Sequence, residues 1–168
     1  GDVVERFSAD GWLDAPPRPD KRTGAFCATT VPDVHPYVLM NFTGDRRSVL
    51  TLAHELGHGL HGVLAQPLGL VNASTPLTTA ETASVFGEAL TFQRLLAGED
   101  DPRRRLDLLT GRIEDAIATT FRQIAMNRFE HSVHTARREQ GELSMDRLGE
   151  LWLEAQTDLF GDSVGIEG

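Results

Sequence analysis

Residues 51–62 read TLAHELGHGLHG, and no other stretch limits the fold of this chain more tightly. Leu52, Leu56, Leu60 and Val63 recur at helical spacing, which predicts a helix with one apolar stripe. His54 and His58 are four residues apart, so they stand one turn above each other on a separate face. Two imidazoles placed in this way can converge on one Zn2+ at about 2.0–2.1 Å each. Glu55 lies about 100° around the helix from His54, beside such a metal instead of on it. That is the place for a base working on water that zinc has acidified toward a pKa of ~7. A surface helix with solvated histidines is the competing reading. H-E-x-x-H arises by chance in well under about 1% of chains this long, which favours the metal.

The third ligand decides the class of site. His61 is seven residues after His54, a rise of about 10.5 Å, too far for both end histidines to share a metal with His58. His61 is therefore expected behind the ligands or facing the cleft. A metzincin arrangement would need glycine at position 61 and histidine at 64, where this chain has His61 and Leu64. The remaining candidates are Glu81 and Glu88 in TTAETASVFGEALTF, seven apart and on one helix face. Thr78-x-x-Glu81 also fits a capping box, in which Glu81 would only close the start of its helix. Spacing alone leaves both roles for Glu81 open.

The rest of the chain reads as mostly α with a small β hairpin or sheet. Residues 1–10 end a helix, and GWLDAPPRPDKRTG is a proline-broken loop. GAFCATT and PYVLMNFTG are two strands joined by a turn around VPDVHP, giving a β unit over 24–42. The H-E-x-x-H helix covers 46–66, QPLGLVNASTPLT is a loop, and a glutamate-bearing helix covers 79–97. Helices follow over 103–160, with an interruption expected at Gly111 and the last helix starting after Ser144. Residues 1–168 are expected to form one domain, about the size that buries a sizeable core.

Sixteen basic against 25 acidic residues give a net charge of -9, which argues against a nucleic-acid partner or an anionic membrane surface. The apolar runs are too short to span a membrane. Cys27 is the single cysteine and reads as a small buried apolar residue; a reducing cytoplasm is the simplest compartment. His131 and His134, three apart, read as a solvated face because no acidic or cysteine partner is near.

HELGHGLH, followed 27 residues after its first histidine by the glutamate of ETASVFGE, resembles the M3 family of zinc metallopeptidases. Within it, the oligoendopeptidase F branch, relatives of thimet oligopeptidase, is most similar. DKRTGAFCATT and PYVLMNFTGDRRSVLTLAHELGH share the likeness, which extends over most of residues 12–160. The resemblance implies a zincin-like, gluzincin-type catalytic core, with one Zn2+ per chain held by His54, His58 and Glu81. It implies that Glu55 is the general base and acid, acting on internal bonds of short peptides in a channel that excludes folded proteins. Glu88 then becomes the carboxylate that orients a histidine ligand through its other ring nitrogen.

An extended substrate can add as a strand to a sheet edge. GAFCA is the candidate edge, with Gly24 and Ala25 small enough for close approach; strands that only shield the helix are the alternative. The family's pattern also has a long helical N-terminal part, and past a helix like 145–160 a segment of histidines and tyrosines that stabilises the oxyanion. Neither is found in this sequence, so a catalytic-core fragment is expected, one that binds zinc and hydrolyses little. The alternatives are another gluzincin-type zinc hydrolase or a catalytically incompetent zinc-binding fragment.

Overall fold

A computed structural model describes residues 2–163 and 165. They form two compact units, residues 1–99 and 100–168, where the sequence suggests one domain. The first begins with helix α1 (Asp2–Ala9), followed by strands β1 (Leu13–Asp14), β2 (Phe26–Ala28) and β3 (Tyr37–Leu39). Helix α2 (Arg46–Ala65) carries the histidines. A 3-10 turn (Gln66–Leu68) and two short helices, α3 (Gly69–Asn72) and α4 (Leu77–Ala80), lead to α5 (Thr82–Ala97).

The expected hairpin is a three-stranded sheet in the order β1-β3-β2. β1 pairs parallel with β3 and was hidden in the proline-rich stretch because it is only two residues long. Val38, Met40 and Phe42 donate their N–H groups to Trp12, Asp14 and Ala15 carbonyls at 2.8, 3.0 and 2.9 Å. β2 pairs antiparallel with β3 through Phe26↔Leu39, Cys27↔Val38 and Ala28↔Tyr37, and forms the other edge. The loop after β1 is pinned by Asp14, whose carboxylate takes both Arg18 (2.7 and 2.8 Å) and Lys21 (3.1 Å). These cations hold the Asp14 carboxyl down at about 2.

Asp45 starts α2: its carboxylate accepts from the Ser48 N–H at 2.7 Å, and the Ser48 hydroxyl returns a bond to the Asp45 carbonyl at 2.8 Å. The core beneath α2 is Phe7, Trp12 and Val38, with Leu13, Cys27, Leu56 and Val63 packed around them. Phe7 meets Trp12 edge-on at 5.2 Å, while Arg6 lies over one indole face and His35 stacks on the ring at 4.2 Å.

Glycine sets how α2 approaches its neighbours. A Cβ at Gly57 would lie 2.5 Å from the Ala83 carbonyl oxygen, and one at Gly87 would lie 2.7 Å from that of Ala53. A Cβ at Gly59 would strike the ring of Phe7. α2 and α5 therefore touch backbone to backbone.

The second unit comprises α6 (Pro102–Ile117), a π-helical turn (Ala118–Arg122), α7 (Gln123–Gln140), α8 (Met145–Phe160) and a 3-10 turn (Gly161–Ser163). The interruption falls at the π turn instead of at Gly111, which stays inside α6. A helical glycine costs only about 1 kcal/mol relative to alanine and need not break a helix. α7 packs on α8, burying Ala125 and Ala136 of the first and Leu151 and Ala155 of the second, and Phe129 meets Trp152 edge-on at 5.2 Å. Ser144 caps α8 by accepting from the Arg147 N–H at 3.2 Å.

Gly57→Ala is expected to destabilise the protein by about 1–3 kcal/mol, because backbone atoms would have to move to admit the methyl. Gly111→Ala, with nothing within 4 Å of the added Cβ, is expected to gain about 0.5–1 kcal/mol. Urea unfolding of both variants checks the opposite signs.

Candidate metal centre

His54 and His58 stand one turn apart on α2, their rings edge-on with centroids 4.8 Å apart. Their Nε2 atoms are 3.1 Å apart. The close approach of α2 and α5 brings Glu81, at the residue before α5, onto this pair. Its Oε2 lies 3.2 Å from His54 Nε2 and 3.3 Å from His58 Nε2. The capping-box role for Glu81 is not what forms. No side-chain hydrogen bond caps α5, and the carboxylate faces the histidines. The buried Ser84 hydroxyl holds it there, at 2.6 Å from Oε2 and 3.0 Å from the Glu81 carbonyl.

These spacings can be tested against a metal. Tetrahedral zinc with bonds of about 2.0–2.2 Å separates its ligand atoms by about 3.3–3.6 Å, and the three atoms here are 3.1–3.3 Å apart, near the lower end of that range. Burial pushes the His58 pKa down, which keeps the ring in the neutral, ligating form. His54 Nδ1 is 2.5 Å from Glu88 Oε1, so that nitrogen is committed to the carboxylate and Nε2 is left with its lone pair toward the cluster. Three ligand-type atoms thus converge on one point. The donor set fits zinc.

Glu55 is 5% exposed, and its Oε2 is buried without a hydrogen-bond partner. Burial raises its pKa; His54 opposes this, Glu81 adds to it, and the backbone N–H of Cys27 opposes it. The carboxylate lines a cavity of about 600 Å³ together with His54, His58, Glu81 and the strand residues Ala25, Phe26 and Cys27.

The other candidates divide. His61 does not join the cluster; it lines the same cavity one turn further on, with Nε2 3.5 Å from Thr75 Oγ1. Ala25 also lines the cavity. Gly24 does not; it occupies a turn at φ +84° and its carbonyl takes the Asn41 amide at 3.4 Å. His131 and His134 lie on α7, and among the described residues the converging ligand-type side chains are His54, His58 and Glu81. Sequence reasoning missed Ser84, although its position three residues after Glu81 places it on the same face of the helix start. Cys27, read from the sequence as a buried apolar residue, packs against the core with its thiol lifted by burial to about 11, and it also lines the cavity.

Residues 2–167 match the family model of peptidase family M3, and the chain belongs to that family. It is thereby homologous to oligoendopeptidases, which are zinc metallopeptidases. Oligopeptidase PepF of Bacillus subtilis is 33% identical over 168 residues, covering 98% of this chain and 25% of the relative. The chromosomal oligoendopeptidase F of Lactococcus lactis subsp. cremoris is 30% identical over 156 residues, 91% of this chain and 25% of the relative. This chain thus spans about a quarter of the length of the curated relatives it matches. The solved structure of PZ peptidase A shares the fold with a TM-score of 0.77 at 17% identity, over 95% of this chain and 27% of that one. A structure from Chlamydophila abortus superposes with a TM-score of 0.72 at 28% identity, over 99% and 28%. Among the described residues no helix is long and apolar enough to cross a membrane.

Two outcomes are expected from the geometry. His58→Ala abolishes zinc binding measured by metal analysis, whereas His61→Ala retains about one zinc per chain. In the metal-free protein the raised pKa of Glu55 favours the fold below the unfolded value of ~4.3, and this contribution is lost as pH rises through the folded value. Glu55→Gln is therefore expected to raise the melting temperature of the metal-free chain by about 2–4 °C at neutral pH. The gain should vanish once the pH falls below ~4.3, where the carboxyl is protonated in both the folded and the unfolded chain.

Proposed function

We propose that this chain is the zinc-binding catalytic core of an oligoendopeptidase that hydrolyses internal bonds of short peptides. The observation that carries the reading is the convergence of His54, His58 and Glu81 within 3.1–3.3 Å with the buried carboxylate of Glu55 beside them. Zinc held by these three residues would serve as the Lewis acid for the scissile carbonyl and lower the pKa of water.

The protein's own groups supply the rest. Glu55 removes a proton as the water oxygen bonds to the carbonyl carbon. It then gives that proton to the amide nitrogen as the C–N bond breaks, so one carboxylate serves as base and then acid. Its burial brings its pKa closer to neutrality, which suits both halves of the task. Glu88 fixes the His54 ring through Nδ1, and Ser84 fixes Glu81, so the ligand geometry stands before any substrate arrives.

A peptide is the fitting substrate because β2 is a free sheet edge on the wall of the cavity. An extended chain added along that edge, near Ala25, would lie beside Glu55. A cavity of about 600 Å³ takes a few residues of extended peptide and not a folded domain. A zinc site kept only for structure is disfavoured, since such sites are closed by four protein ligands and this cluster has three.

Glu55→Gln is expected to reduce cleavage of a quenched fluorescent peptide of roughly 8–10 residues by a factor of about 100 or more. Zinc content should stay at one per chain. Turnover near the wild-type rate in the Gln variant would show that another group is the base.

A further inference from the structure

The parity of strand pairing decides where the backbone groups of β2 point. Val38 donates its N–H to Trp12 on the β1 side, so it turns its backbone groups away from β2. Cys27 is the antiparallel partner of Val38. In such a non-hydrogen-bonded pair both residues direct N–H and C=O outward, away from each other. The Cys27 N–H therefore leaves the free edge of the sheet, and Cys27 and Glu55 line one cavity. Glu55 brings the complementary group: a carboxylate oxygen that is buried and has no hydrogen-bond partner. Buried polar atoms are rarely left in that state. The Cys27 backbone also acts on the Glu55 carboxyl in the sense of a donor to it.

We propose that the peptide N–H of Cys27 is the positioning group for Glu55, holding one carboxylate oxygen at the sheet edge and so setting the direction of the other toward the His54, His58 and Glu81 cluster. This rests on the reading of Glu55 as the base and adds what aims it. The terminal torsion of a glutamate is broad and roughly two-fold, so a carboxylate on a helix needs a second point of attachment to present one oxygen in one direction. The sheet edge supplies it. The arrangement also sets where a peptide can pair. The Cys27 N–H is committed inside the protein, so the neighbouring outward-facing residue, Ala25, is where an incoming strand finds a backbone donor.

Amide hydrogen exchange on the metal-free chain tests the attachment without reference to catalysis. The Cys27 amide should exchange at least tenfold more slowly than that of Ala25. It should stay slow in Glu55→Gln, whose amide oxygen still accepts, and become fast in Glu55→Ala, with Phe26 and Ala28 protected throughout as a check on the sheet. A Cys27 amide no slower than that of Ala25 in the wild-type chain overturns the proposal, and so does an unchanged rate in a folded Glu55→Ala. The positioning role is then read from Cys27→Pro against Cys27→Ala, both lacking the thiol and only the first lacking the N–H. Proline is tolerated on an edge strand where the N–H is not in the ladder. A kcat at least tenfold lower for the proline variant, with KM and zinc content equal to those of the alanine variant, supports the role; equal kcat values refute it. A wild-type chain without any peptidase activity would count against the proposed function alone, and hydrogen exchange would still decide the attachment.

Discussion

The contact between the backbones of α2 and α5 is the constraint on which the site depends. Helices with ordinary side chains at their crossing lie about 8–10 Å apart. At Gly57 and Gly87 the space a methyl would need is filled by the carbonyls of Ala83 and Ala53. Nothing larger than hydrogen fits at either position. This close approach lets His54 meet Glu81 through one ring nitrogen and Glu88 through the other. It also places the Glu81 carboxylate at the amino end of α5, where the helix dipole favours negative charge. Moving the helices apart by the radius of a methyl group would separate the two histidines from both glutamates at once.

The histidine–glutamate cluster and Glu55 draw on different parts of the fold. The cluster atoms are fixed by helix against helix, with Ser84 and Glu88 as struts. Glu55 sits where a helix meets a sheet edge, with a desolvated carboxyl whose charge is opposed by burial and assisted by His54. Burial has opposite effects on the two kinds of group. It lowers the affinity of His58 for a proton and so favours the ligating form, and it raises that of Glu55 and so favours proton uptake. One cleft tunes both.

Much of this arrangement was legible in the chain because it follows from helical periodicity. The i, i+4 spacing of His54 and His58 and the offset of Glu55 need no tertiary information. The seven-residue spacing of Glu81 and Glu88 fixed a shared face, but not which of them would touch a ring nitrogen. Thr78 offered a local alternative for Glu81 that lost once α5 began after Glu81 instead of before it. What stayed hidden depends on contacts between segments distant in sequence. β1 is too short to show a pattern and exists because β3 offers N–H donors to its carbonyls. Gly24 was chosen for size, whereas its positive φ serves a turn and Ala25 is the residue at the cavity. The π turn replaced a break at Gly111 because a glycine weakens a helix without ending it, and β-branched Thr119 and Thr120 sit in the widened turn.

The two tryptophans fall one in each compact unit, and their surroundings differ. Trp12 is buried between a guanidinium and an imidazole ring, while Trp152 is 41% exposed beside Phe129. Indole emission moves to shorter wavelength when water is excluded, and a stacked imidazole quenches it more strongly once protonated. The chain therefore carries two native fluorophores with separable colours. One reports on the unit that holds the histidine cluster, and the other reports on the helical unit that does not.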